Sequence, residues 1–94
     1  MKSLVWSAGF VRKFKRLIKK NLQLRIQVEK TLDLLIEDPF NSSLRTRKLK
    51  GDLDGVWSCS LDYNNRILFE FVVNSDSGEE EIFLLTLGSH DEVY

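Results

Sequence analysis

Residues 66–73 read RILFEFVV, a nearly continuous apolar run of the kind found in a central β-strand. A second such run, EIFLLTL, covers residues 81–87, and a polar loop over 74–80 joins the two. Upstream, residues 56–61 (VWSCSL) alternate large apolar with small polar side chains. Successive strands with short connections favour an antiparallel meander. The C-terminal half therefore predicts three neighbouring strands.

The N-terminal half predicts one strand and two helices. Residues 2–6 (KSLVW) are rich enough in apolar side chains to form a first strand. Ser7 is a suitable N-cap for a basic amphipathic helix that ends near Asn21. A second helix is predicted over residues 22–37, where the Asp38-Pro39 pair stops it because the residue before proline is pushed out of the helical region.

The predicted order β-α-α-β-β-β defines an α+β domain, in which an αα-hairpin packs on one face of a twisted antiparallel sheet. Ninety-four residues make one domain over 1–94. The single cysteine, Cys59, fits a reducing cytoplasm and is expected to be a small buried apolar residue. No run approaches the roughly 18 apolar residues of a membrane span, and the N-terminus does not read as a signal peptide. We therefore expect a cytoplasmic protein without membrane contact.

Charge is distributed unevenly along the chain although the net charge is zero. Residues 1–50 hold thirteen of the fourteen Lys and Arg against four acids, whereas residues 51–94 hold one Arg against ten acids. This asymmetry is typical of a basic face that binds a polyanion or an acidic partner. Two solvated faces that attract one another on folding explain it equally well.

The sequence excludes several kinds of site. It has no glycine-rich phosphate loop, no nucleophile elbow and no paired cysteine motif. One histidine and one cysteine cannot build a zinc site of the usual kind. We therefore expect neither a metal nor another cofactor.

The histidine near the C-terminus is the first candidate for chemistry. His90 follows directly from a predicted buried strand, and imidazole titrates near neutrality, so it is a natural general acid or base. A lone surface histidine with no function is the alternative.

The second candidate is the basic segment RTRKLK at residues 45–50. Arg45, Arg47, Lys48 and Lys50 predict an exposed patch that binds phosphate oxygens, and an ordinary solvated loop is the alternative.

Two further residues have two interpretations each. Arg66 opens an apolar strand, where it either forms an ion pair with Asp62 or Glu70 or points into a cleft to hold an anion. Trp57 belongs to the core or offers a stacking face to an unpaired base.

Three segments, in this order, resemble the RelE/YafQ/YoeB superfamily of bacterial toxins: LRTRKLKGDLDG at 44–55, NRILFEFVV at 65–73 and LGSHDEVY at 87–94. The opening LVWSAGFVRKFKRL and the helix end EDPF are similar to the same group, so the resemblance covers nearly the whole chain. It implies a RelE-like, microbial ribonuclease-like fold with the β-α-α-β-β-β order already read from the residues.

The resemblance also implies a function. It is that of a toxin in a type II toxin-antitoxin system: a metal-independent endoribonuclease that cleaves mRNA in the A site of the 30S ribosomal subunit and is held in check by an antitoxin protein. By this resemblance His90 is the general acid or base, Tyr94 orients the nucleotide, and Arg66 stabilises the scissile phosphate. Lys48 and Lys50 match the basic residues of the KLKG-like segment.

The chain departs from the superfamily in one respect that bears on mechanism. YafQ-like enzymes use additional histidines, and this chain has none, so the second proton-transfer partner stays open between Lys48, Asp62 and the RNA itself. Two other functions are compatible with the same fold. One is a ParE-like inhibitor of DNA gyrase without nuclease activity, against which the LGSHDEVY ending argues, and the other is an inactive RNA-binding relative.

Overall fold

A computed structural model describes residues 3–94, with the side chain of Glu92 left aside. Lys2, the first residue of the predicted N-terminal strand, lies outside the described residues. The elements in chain order are β1 Ser3–Trp6, α1 Ala8–Lys20, α2 Leu22–Glu37, β2 Arg47–Lys48, β3 Trp57–Ser60, β4 Asn65–Val73, β5 Glu80–Ser89 and α3 His90–Val93.

The strands form one five-stranded sheet in the order β1-β5-β4-β3-β2. The predicted α+β class and element order are confirmed, with two differences in the sheet. β1 pairs parallel with β5, so the sheet is mixed rather than wholly antiparallel. The helical hairpin carries the chain from β1 to the far edge, and the antiparallel meander then returns β5 to the side of β1. The second difference is β2, a two-residue strand inside the predicted loop.

Side-chain caps fix the helical hairpin to the sheet. The Ser7 hydroxyl accepts a hydrogen bond from the Phe10 N–H at 3.0 Å and donates to the Leu85 carbonyl at 3.0 Å. Leu85 is the extra residue of a bulge in β5, so this one side chain both starts α1 and binds it to the sheet. Asn21 ends α1 and caps α2 by accepting from the Gln23 N–H.

The core lies between the hairpin and one face of the sheet, called here the helix face. Its side chains alternate along each strand, as the period of a pleated sheet requires. The buried core residues are Phe10, Val28, Leu32, Leu35, Leu44, Cys59, Leu61, Ile67, Phe69, Ile82, Leu84 and Leu87. The opposite face, called here the open face, carries the paired residues Ser58, Leu68 and Thr86.

No helix within residues 3–94 combines the length and apolarity that crossing a bilayer demands.

The buried thiol of Cys59 generates a prediction about alkaline stability. Burial raises the pKa of this thiol to about 12, against the charge of Arg66, which lowers it. Above a pH of about 9 the unfolded chain releases the thiol proton while the folded chain retains it, so the free energy of unfolding falls as the pH rises toward 12. From pH 8 to pH 10 the wild type should lose about 1 kcal/mol relative to Cys59→Ala, measured by urea unfolding. Parallel pH profiles for the two proteins would contradict a buried thiol.

Candidate functional site

The short helix α3 lies against the open face at the end of β4 and β5. Ser89, the last residue of β5, pairs with Asn65, and His90 begins the helix directly after it. The Tyr94 hydroxyl donates a hydrogen bond of 2.6 Å to the Ser58 hydroxyl. Because Ser58 lies on the open face of β3, this bond places the Tyr94 hydroxyl over that strand. Leu68, next to Ser58, is buried there although it lies outside the main core.

His90 stands at the rim of the same face. Its ring meets the Tyr94 ring edge to face, with the centroids 4.4 Å apart, and its side chain remains 65% exposed. The Asp91 carboxylate lies 3.7 Å from Nδ1, and that carboxylate is itself fully solvated. The imidazole is therefore oriented by an aromatic neighbour and accessible to a ligand or to water.

Strand pairing separates the two neighbouring cations of the basic segment. Arg47 pairs with Ser58 and therefore lies on the open face, whereas Lys48 pairs with Trp57 on the helix face. Trp57 there contacts Phe40 and Phe71, at centroid distances of 5.4 and 5.5 Å, and packs against the core. The structure brings Arg47 and Tyr94 to the same face as His90 and does not bring Lys48 there. It also confirms the core interpretation of Trp57.

By strand alternation Arg66 belongs to the open face with Leu68, and its guanidinium is bonded to nearby backbone carbonyls. Its backbone pairs with Gly88 and Ser60, at the strand ends where α3 begins. Nη1 donates to the carbonyls of Asp62 at 2.9 Å, Tyr63 at 3.3 Å and Asn65 at 3.0 Å.

Neither expected carboxylate pairs with Arg66, since among the residues described it forms no ion pair with Asp62 or Glu70. The Asp62 carboxylate instead accepts N–H bonds from Asn64 and Asn65, which closes the β3–β4 turn at residues 61–64.

A cleft of about 470 Å³ lies between α2 and the β3–β4 turn, and we call it the basic cleft. Three of the side chains that line it are the cations Lys30, Arg45 and Arg66. The basic residues that were predicted to form one patch therefore lie in different places. Arg47 is on the open face, Lys48 is on the helix face and Arg45 lines the cleft. Lys50, exposed, precedes the 3₁₀ helix Gly51–Leu53.

Sequence reasoning missed Ser58 and Lys30. The alternation in VWSCSL contained a signal for Ser58, because a serine between Trp57 and Cys59 must face away from the core they enter. Lys30 carried no comparable signal, since it lies on a solvated helix whose neighbour across the cleft is distant in sequence.

The residues described include no group of three or more His, Cys, Asp or Glu side chains arranged to hold a metal ion.

Comparison with solved structures relates this fold to bacterial toxins. A YoeB/ParE toxin from Agrobacterium tumefaciens superposes with a TM-score of 0.78 at 19% identity, covering 96% of this chain and 99% of that one. A copper-bound mutant toxin from Helicobacter pylori gives 0.74 at 24% identity and covers both chains fully. A chain of the E. coli DinJ-YafQ toxin-antitoxin complex gives 0.76 at 13% identity, covering 99% of this chain and 97% of that one.

The likeness extends along the whole chain and confirms the predicted fold. The protein has the RelE-like fold of toxins of the RelE/YafQ/YoeB type. No protein-family profile matches the sequence, and no curated protein matches it significantly.

The Tyr94–Ser58 hydrogen bond generates a prediction about how α3 is held. Tyr94→Phe removes the donor and leaves the ring, so the free energy of unfolding should fall by about 0.5–1.5 kcal/mol in urea. Tyr63→Phe is the matched control, because the Tyr63 side chain is 93% exposed. In combination with Ser58→Ala the loss should be less than additive. Equal effects of Tyr94→Phe and Tyr63→Phe would show that the bond does not hold the helix.

Proposed function

We propose that this protein is the toxin of a toxin-antitoxin system and a metal-independent endoribonuclease that cleaves mRNA on the ribosome. One observation carries the proposal: an exposed imidazole and a hydrogen-bonded tyrosine are in contact on the open face, and a strand arginine lies on the same face beside the tyrosine's partner Ser58. Solved toxins share the fold that carries this set.

The reaction that these groups suit is cleavage by the RNA itself. The ribose 2′-hydroxyl attacks the adjacent phosphorus and the bond to the 5′-oxygen breaks, which leaves a 2′,3′-cyclic phosphate and a free 5′-hydroxyl. The protein must align the attack, exchange two protons and stabilise the added negative charge. Alignment contributes about 7–11 kcal/mol and proton transfer about 10²–10⁴-fold, which together suffice without a cofactor.

The residues of the open face divide these tasks. His90 takes the proton from the 2′-hydroxyl or delivers one to the leaving 5′-oxygen. Tyr94, held by Ser58, offers its ring to a base, as aromatic side chains do for single-stranded RNA. Arg47 binds the phosphate from β2, and the charge of Arg66 acts from the start of β4, beside α3.

The position of the remaining candidates favours a second proton-transfer partner outside this chain. Lys48 lies on the helix face, and the Asp62 carboxylate is occupied by N–H groups of its own turn. We therefore assign neither a proton-transfer step. A group of the RNA or of the ribosome is the favoured partner, and Lys50 remains available to phosphates further along the strand.

An acidic antitoxin is the partner that the charge distribution favours. The exposed side of α1 is strongly basic, with Arg12, Lys15, Arg16, Lys19 and Lys20. An acidic segment that orders on binding would complement this helix electrostatically. A toxin-antitoxin complex among the matching structures supports the same pairing.

Removing the imidazole tests the catalytic proposal. Primer extension after brief expression in the cytoplasm should find cuts in translated messages, with 5′-hydroxyl ends. His90→Ala should reduce cleavage about 10²-fold or more while RNA binding persists. Asp76→Asn, in the exposed β4–β5 turn, should cut as the wild type does. Undiminished cleavage by His90→Ala would remove His90 from the mechanism. DNA damage without RNA cuts would identify a gyrase inhibitor instead.

The antitoxin proposal is tested by co-expression. A product of a neighbouring gene should co-purify with this chain, and the complex should weaken steeply with salt because both faces are charged. Harmless expression of the chain alone, together with no binding by any neighbouring product, would contradict it.

A further inference from the structure

Three cations and one acidic side chain line the basic cleft, so its lining carries a net positive charge. Lys30 and Arg45 form no ion pair with any side chain that the structure describes. The acidic side chain in the lining is Asp62, whose carboxylate already accepts N–H bonds from its turn. A cluster of unneutralised cations in a concave site raises the local concentration of anions.

Backbone carbonyls hold one of these cations, and a second has an unusual backbone conformation. Arg66 uses Nη1 for the three turn carbonyls, which fixes the guanidinium plane and leaves Nε and Nη2 without a hydrogen bond to the described residues. Arg45 has φ 50° and ψ 44°, a left-handed conformation that a long side chain rarely adopts. It follows the 3₁₀ helix Ser42–Leu44, which Asn41 caps. Strain of this kind persists where the surroundings enforce it and clusters at binding sites.

The rest of the lining suits a flat, partly apolar ligand. Leu34, Leu44 and Leu61 contribute apolar surface, and Gln27 lies beside them. Tyr63 is in the lining and 93% exposed, so its ring is free to stack. A volume of about 470 Å³ falls in the range of small-molecule sites. Cations, an apolar floor and an aromatic rim are together the features that bind a phosphate and its base.

The position of the cleft relates it to the open face. Asn65 pairs with Ser89 and Arg66 with Gly88, so the β3–β4 turn lies beside the start of α3. The cleft and His90 are therefore at the same end of the sheet, on either side of this turn. An RNA strand bound at His90 can continue round the turn into the cleft.

We propose that the basic cleft binds a nucleotide of single-stranded RNA that flanks the one held at His90. This inference rests on the proposed function and adds a second binding site, which shares Arg66 with the catalytic set. Lys30, Arg45 and Arg66 contact the phosphate, and Tyr63 stacks on the base. A carboxylate of a protein partner would use the cations but not the stacking surface, and so we favour RNA.

Binding of a non-cleavable RNA tests the proposal. The probe is a fluorescein-labelled heptamer of 2′-O-methyl RNA, titrated with the full chain at several salt concentrations and followed by anisotropy. The cleft variants are Lys30→Gln and Arg45→Asn, since asparagine tolerates the left-handed backbone. Arg25→Gln is the matched control, because Arg25 lies on the opposite side of α2 from the cleft and is 3.2 Å from Glu29.

Each cleft variant should raise Kd about 3–10-fold and reduce the slope of log K against log salt by about 0.7, the value for one phosphate contact on a single strand. Arg25→Gln should leave the slope unchanged. The proposal would be overturned if the cleft variants had the same Kd and the same salt slope as the wild type and Arg25→Gln. Cleft-dependent binding of hexaglutamate without binding of the heptamer would also overturn it, in favour of an acidic partner.

Parallel cleavage assays keep the two proposals separate. A wild type that cleaves RNA while the cleft variants bind and cleave equally well overturns only the cleft proposal. A wild type that cleaves nothing but binds the heptamer through the cleft supports the cleft and overturns the nuclease.

Discussion

The nine residues of β4 pair with β5 along their whole length, with one bulge at Leu85, and this pairing positions Arg66 and the start of α3. It sets Ser89 opposite Asn65, so α3 begins at the strand ends beside the β3–β4 turn. Through β3 it also fixes Ser58, to which Tyr94 is bonded. A slip of one residue would turn the strand's side chains to opposite faces and bury Arg66 in the core. The apolar side chains of the two strands do not by themselves determine the register. The bulge at Leu85 and the hydrogen bond from the Ser7 hydroxyl to the Leu85 carbonyl determine it.

The sequence predicts most of the fold because the signals are local. Apolar runs identify β4 and β5, and Ser7 and the Asp38-Pro39 pair bound the helices. It could not separate Arg47 from Lys48, because their directions depend on pairing with β3, which a polar loop does not reveal. Nor could it foresee that backbone carbonyls, rather than a carboxylate, would hold Arg66. The β2–β3 pairing and the bonds of Arg66 are long-range or backbone contacts, and such contacts leave no periodic pattern in the sequence.

The resulting molecule presents two charged sites on either side of one turn. On the open face, His90 and Tyr94 come from α3 and Arg47 from β2. On the other side, Lys30 and Arg45 line the basic cleft, which Arg66 at the start of β4 also lines. The fold is common to toxins of 13–24% identity, so the framework persists while the side chains at its surface vary. In this chain His90 is the single histidine, and its described neighbours are Tyr94 and Asp91.

Residue-resolved NMR of the His90→Ala protein with non-cleavable 2′-O-methyl RNA tests most directly whether the open face is where RNA binds. The account predicts that the amide signals of Arg47, Ser58 and Tyr94 shift most, because these residues lie around α3 on that face. Shifts confined to Lys48, Phe40 and the aromatic cluster of the helix face would contradict it.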